Sequence, residues 1–400
     1  MFDINKTRSE FPPLRNAVLG KLPIYMDSAC MAMKPESVIL AMDRYYREYP
    51  ACGERSIHHW GERVTKEVDE TRLLVARFIG ARKASEVVFT RNTTEAINLL
   101  ANSFPFKAGD VVLTTNKEHN SNLIPWQMLA RTRGVKHKVL PMNEDGSFPI
   151  EQFRRDVVGV RLVSLGITSN WDGMRLDGKE IAKIAHEAGA MVHFDAAQTV
   201  PHENINVQSI GTDFLSVSGH KMYGPTGTGF LFAKEEMMHE LTSFMVGGGT
   251  VADVSLESHI LLDAPERFEA GLQDYAGIIG LGAAVKWLSS IDREAVKEHE
   301  ELLAKKLRDG LAEFSGVKMF GDGRGAIVSF LHEKLDPERV AVMLEEVGGI
   351  MVRSGRHCNH LWAETVGAKK GTVRASLAMY NTEEEIECFV DTMKKIVTLV

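Results

Sequence analysis

Four hundred residues, 44% hydrophobic and 25% charged, make a chain long enough to bury a full core and to divide into two domains. A formal net charge of −7, with no Lys/Arg block beyond a few residues, excludes a nucleic-acid footprint and makes polyanions poor partners. Residues 1–16 mix charges with Pro12 and Pro13 and lack an apolar signal core, and no later stretch approaches the roughly 18 apolar residues of a membrane span; the reading is a cytoplasmic protein with no membrane partner.

In chain order, residues 1–20 read as an N-terminal arm and 21–284 as a large domain. Between about 85 and 235, short β-branched runs alternate with helical stretches. Strands are expected over 86–90, 110–115, 138–142, 160–168, 190–195 and 213–218, and helices over 93–103 and 177–187 among the intervening segments. Such alternation predicts an α/β fold, a mostly parallel sheet with helices on both faces, whose ligands bind beyond the carboxyl ends of the strands. From 285 to 400 the texture changes to a smaller α+β domain. It comprises a long charged helix (292–314), strands near 326–331 and 372–378, and a closing amphipathic helix opened by Thr382 with Glu383–Glu385 in its first turn.

Four cysteines (Cys30, Cys52, Cys358, Cys388) form no CxxC pair and no disulfide framework, which fits a reducing compartment; no metal site is expected.

The chemistry concentrates between His193 and Gly229. HFDAAQTVPH delivers Asp195 to the carboxyl end of an apolar strand, and DFLSVSGHKMYGPTGTGFLFA then sets Ser218, Gly219, His220 and Lys221 on a glycine-rich turn after a second strand. These are the parts that pyridoxal 5′-phosphate chemistry uses: an amine for a Schiff base, a carboxylate for the ring nitrogen, and hydroxyl, imidazole and backbone donors for the phosphate. Thr93 and Thr94, within NTTE, open a helix after the EVVFT strand, where free N–H groups and the dipole favour a phosphate; a plain N-cap is the alternative reading. His119, within KEHNS, falls past another strand end, placed to stack on a ring and shuttle protons.

SGHKMYGPTGTGFL, with DAAQ upstream and RFEAG at Arg267–Gly271 downstream, resembles the aminotransferase class V group of fold-type I pyridoxal-phosphate enzymes. Within it the likeness is to the type II cysteine desulfurase and selenocysteine lyase branch, and it runs from YMDSAC to RASLAMYNT. The resemblance implies a seven-stranded sheet and a homodimer with active sites at the subunit interface. It implies Lys221 as the Schiff-base lysine, Asp195 at the ring nitrogen and His119 over the ring. Asn170 and Gln198 would meet the phenolic oxygen, and Arg374, with Arg353 and Asn170, the substrate. MVRSGRHCNHLW resembles the mobile loop that carries the catalytic cysteine, here Cys358, whose neighbours Arg353, Arg356, His357 and His360 favour a thiolate. The implied reaction takes L-cysteine to L-alanine and leaves a persulfide on Cys358 for a sulfur-acceptor protein, supplying iron–sulfur clusters or another thio-cofactor.

Cys30, Cys52 and Cys388 read as structural thiols, Cys30 in a segment resembling the one where substrate enters. The chain departs from the family pattern at Leu272, where a threonine is common, at Glu54, at Asn120 and after Cys358. Three alternatives therefore stay open: a lyase acting on L-selenocysteine, a class V aminotransferase or epimerase that does not use Cys358, and a non-catalytic scaffold, suggested by Leu272 and Glu54.

Overall fold

The computed structural model describes residues 2–18 and 20–398. Its centre is a seven-stranded sheet: β1 (Val87–Thr90), β2 (Val111–Thr115), β3 (Lys136–Leu140), β4 (Leu162–Gly166), β5 (Met191–Asp195), β6 (Phe214–Ser218) and β7 (Gly229–Ala233), in spatial order β1-β7-β6-β5-β4-β2-β3. All neighbours are parallel except β7, which runs antiparallel to both β1 and β6. Inner strands such as FLSVS and GFLFA are buried throughout, as sheets covered on both faces require.

Alternation along these strands feeds two cores. Leu215, Val217, Phe230 and Phe232 face one cluster with Ile181, Ile184 and Ile279. Phe214 and Leu231 face the other, under Ile97 and Leu100 of helix Thr93–Ser103 and Trp126 of helix Ile124–Arg133.

The expected 138–142 strand is observed two residues earlier, because Pro141 has no N–H to continue the ladder. The GFLFA run, not among the strands expected from sequence, is a full strand. Helix Tyr275–Ser289 is apolar around its whole circumference, and its glycines admit close neighbours: a Cβ at Gly282 would stand 2.3 Å from Thr71 Oγ1.

The C-terminal unit carries a four-stranded antiparallel sheet, in order Val317–Phe320, Ile327–His332, Thr372–Ser376, Arg353–Gly355, under helices Arg293–Ala312, Pro337–Gly348 and Glu383–Val397. Thr382 and Glu385 form a reciprocal capping box at the last helix. Ile24–Tyr25 pairs with Ile350–Met351, and Met26 enters the core of this unit. The arm lies across the junction: Phe11 packs among Tyr223, Trp287 and Tyr380, and Arg8 pairs with Glu385 at 2.7 Å. Among the described residues no helix is long and apolar enough to cross a membrane.

Candidate active site

Strands β4, β5 and β6 end side by side, with Asp195 level with Gly166 on one flank and Ser216 on the other. Beyond these ends lies a cavity of about 540 Å³. That is where a parallel sheet leaves its strand termini and loops to meet a ligand. Of the residues singled out in the sequence, Thr93, Thr94, His119, Asn170, Asp195, Gln198, Ser218, His220, Lys221, Arg353, Cys358 and Arg374 all line it.

Asp195 is buried, and its Oδ1 accepts the Ala197 N–H at 2.9 Å, leaving Oδ2 for the cavity. Burial raises its pKa, while the Ala197 N–H and the Lys221 ammonium pull it back. Lys221 ends the 3₁₀ turn that leaves β6. Gly219 makes that turn possible: its N–H bonds the Thr228 carbonyl at 2.8 Å, and a Cβ there would sit 2.2 Å from Thr228 Oγ1. Burial lowers the Lys221 pKa against the pull of Asp195, which favours the neutral amine that a nucleophile needs.

The N-terminus of helix Thr93–Ser103 forms one wall, capped by Asn92, whose Oδ1 accepts the Glu95 N–H at 3.0 Å. Ser218 Oγ takes the Thr93 N–H at 2.9 Å and donates to Thr93 Oγ1 at 2.8 Å, and Thr94 shares a 2.7 Å hydrogen bond with Ser121. A helix start with three hydroxyls and positive dipole character is suited to an anion. His220 beside it is held neutral, pushed to about 4 by burial and the Lys221 and Lys34 ammonium groups.

His119 Nδ1 accepts the Ser121 N–H at 3.1 Å, which places the ring proton on Nε2. Burial, with Lys221 and Arg374 nearby, pushes this imidazole down to about 3. Sequence reasoning missed its neighbour Glu118, because a glutamate in a polar run reads as solvated. Glu118 is buried in the cavity wall and accepts from Thr115 Oγ1 (2.7 Å), Asn122 Nδ2 (2.8 Å) and Gly166 N–H (2.8 Å), so it ties two strand ends to the His119 turn. Burial raises its pKa to about 7 despite those bonds. From Asn122 a buried chain continues through Ser164 and His193 to Ser216, crossing the sheet beneath the cavity.

Arg374 is buried, donating through Nη1 to the Asn170 carbonyl at 2.9 Å and through Nη2 to Asp27 at 3.2 Å. Its Nε has no protein partner, and neither has Gln198 Oε1. Asn170 and Gln198 each donate one amide hydrogen elsewhere, Asn170 to the His357 carbonyl at 2.7 Å and Gln198 to the Ala29 carbonyl at 2.8 Å, so each keeps a second N–H.

Cys358 is exposed on the loop before helix His360–Thr365. The basic side chains adjacent to it in sequence point elsewhere. Arg356 donates to the Lys369 carbonyl at 2.7 Å and pairs with Glu364 at 3.3 Å, and His357, pushed to about 2 by burial, meets Thr372 at 2.8 Å. Arg353 instead lies 3.6 Å from Cys30 Sγ and 3.9 Å from Asp27. Sequence adjacency therefore misjudged which thiol the guanidinium serves.

An amine, a buried carboxylate, a carboxylate-seeking guanidinium and an accessible thiol around one cavity at the strand ends define an α/β enzyme that handles an amino-acid substrate. The chain belongs to the aminotransferase class V family, whose model matches residues 24–389. A probable cysteine desulfurase of Methanothermobacter thermautotrophicus is 40% identical over 399 residues, covering 97% of each chain. The apo structure of a cysteine desulfurase from Thermococcus onnurineus NA1 superposes with a TM-score of 0.94 at 37% identity, covering 99% of this chain and 98% of that one. The Escherichia coli cysteine desulfurase CsdA, in an S-sulfonic acid form, gives a TM-score of 0.93 at 32% identity over the full length of both chains.

Proposed function

We propose that this chain is a pyridoxal 5′-phosphate-dependent cysteine desulfurase that takes L-cysteine to L-alanine and receives the sulfur on Cys358. The observation that carries this reading is that Lys221, Asp195, Arg374 and Cys358 line one cavity, in a chain whose relatives are cysteine desulfurases. The residues present fit the cofactor. A buried acid and a buried amine face each other, the hydroxyls of Thr93, Thr94 and Ser218 gather at a helix start, and Gln198 Oε1 and Arg374 Nε are buried without protein partners.

When bound, pyridoxal phosphate supplies a carbonyl for the substrate amine and a pyridinium ring that draws electrons from the bonds at the substrate Cα. Asp195 Oδ2 would hold the ring-nitrogen proton. Lys221 would hold the cofactor through its amine and move protons at the substrate Cα. His119, with its Nδ1 occupied by the Ser121 N–H, would lie over the ring, and Arg374 would orient the substrate carboxylate through its unpaired Nε–H and by competing with Asp27. The Cys358 thiolate attacks the substrate sulfur. A Cys358 S–S bond forms, the substrate C–S bond breaks with its electron pair going to the carbon fragment, and protonation of that fragment gives alanine.

We also propose that the chain works as a homodimer delivering sulfur to an acceptor protein in the cytoplasm. Phe244, Met245 and Leu272 are exposed around one hollow, and the hairpin Val251–Val254/His259–Leu261 displays Val254, Leu256 and Ile260 to solvent, an apolar surface of the kind that oligomers cover.

Incubation of cofactor-loaded protein with L-cysteine, followed by alanine assay and peptide mass spectrometry, tests the desulfurase reading. We expect alanine together with a sulfur adduct on the Cys358 peptide. Alanine formed undiminished by Cys358→Ser would point instead to chemistry that bypasses this thiol.

A further inference from the structure

Two of the four free cysteines lie away from the cavity. Cys52 turns to the Gly53 carbonyl (3.4 Å) and the Tyr275 hydroxyl (3.7 Å), and Cys388 packs on the core of the C-terminal unit. Cys30, which reads from sequence as structural, lines the same cavity as Cys358, Lys221 and Arg374. Its backbone is held from both units: its own N–H bonds the Asp27 carbonyl at 3.0 Å. On the preceding residue, the Ala29 N–H bonds Ser376 Oγ at 3.0 Å and the Ala29 carbonyl accepts from Gln198 at 2.8 Å. The backbone at Cys30 is thus fixed in the wall, and Arg353 Nη1 lies 3.6 Å from its sulfur. Cys358, by contrast, is exposed on a loop whose Arg356 and His357 are engaged elsewhere.

We propose that Cys30 is a second sulfur site, accepting the outer sulfur of the Cys358 persulfide. The proposal rests on the desulfurase reading. The Cys30 thiolate attacks the outer sulfur, a new S–S bond forms at Cys30, and the Cys358 S–S bond breaks with its electron pair leaving on Cys358 as thiolate. The Cys30 proton passes to solvent or to that thiolate. Cys358 is reduced as Cys30 is oxidised, so no outside oxidant enters, as in ordinary thiol exchange. The relay returns Cys358 to its thiol form for a second substrate before any acceptor protein arrives, and it places stored sulfur inside the cavity beside Arg353.

The test is a burst experiment on the cofactor-loaded enzyme with L-cysteine, without reductant or acceptor, quenched with an alkylating reagent and mapped by mass spectrometry. We expect about two alanines per subunit with added sulfur on both the Cys30 and Cys358 peptides, falling to about one alanine, all sulfur on Cys358, in Cys30→Ala and in the volume-conserving Cys30→Ser. Cys358→Ser should leave Cys30 unmodified. Sulfur confined to Cys358 in the unaltered enzyme, a Cys30–Cys358 disulfide with released sulfide, or sulfur on Cys30 in Cys358→Ser would each overturn the relay while leaving desulfuration standing. An absence of alanine from the unaltered enzyme would instead remove the desulfurase reading beneath it.

Discussion

The two halves of the active site are held by different physics. Asp195, Ser218 and Lys221 are set by strand register and a glycine-dependent turn, with little conformational choice. The loop of the other half is set against its own backbone preference: His357 and Cys358 take φ of 49° and 56°, the left-handed region that side chains with a Cβ disfavour. Three donors hold it there, Asn170 Nδ2 on the His357 carbonyl (2.7 Å), Asn120 N–H on the Cys358 carbonyl (2.7 Å) and Asn359 Nδ2 on the Lys117 carbonyl (2.8 Å). Proton transfer at carbon needs fixed groups, whereas sulfur delivery needs a thiol that can leave its post. Two strained residues, each costing on the order of 1–3 kcal/mol, offset part of what those donors contribute.

Breaking the rigid half should give the largest effect. Lys221→Ala is expected to lower alanine formation from L-cysteine about a thousandfold or more, because it removes the group proposed as both covalent anchor and proton carrier; a loss below tenfold would refute that role. Cys358→Ser, in the loop half, should cost on the order of a hundredfold, with the absorption spectrum of the cofactor-loaded protein unchanged, since sulfur is then accepted only by poorer routes. A spectral change as large as that of Lys221→Ala would mean that the halves are not separable. Asn359→Ala, which removes one tether of the loop, should slow desulfuration by only about tenfold, read as a drop in kcat with KM little altered.

The smallest effect is a pH dependence of folding. His119 and His193 are pushed to about 3, His357 to about 2 and His220 to about 4, each chiefly by burial, against an unfolded value near 6.5. Between about pH 4 and 6.5 the unfolded chain binds protons at these four imidazoles that the folded chain refuses; Glu118, raised to about 7, works the other way but is one group against four, so stability rises with pH through that window and is lost as pH falls through it. The melting temperature should drop by several degrees from pH 7 to pH 5, and a flat profile would show that these imidazoles are not held neutral.

What was legible in the sequence followed the same division. The strand-end residues stand where hydrophobic periodicity changes to polar turn chemistry, so Asp195, Lys221, Thr93 and the sheet that aligns them could be read directly, and helix Thr93–Ser103 falls where it was expected. Glu118 and Asp27 could not be read, because burial of a carboxylate depends on distant strands and on the C-terminal unit closing over it. The destination of Arg353 was hidden for the same reason: its partner Cys30 lies 323 positions away in the chain. Helix Tyr275–Ser289, rich in glycine, has poor intrinsic propensity and exists because neighbours pack against it.

The most direct test of the account is to treat the cofactor-loaded protein with borohydride and locate the fixed pyridoxyl group by peptide mapping. The account predicts that it is found on the peptide containing Lys221. A pyridoxyl group on another lysine, or on none in cofactor-saturated protein, would contradict it.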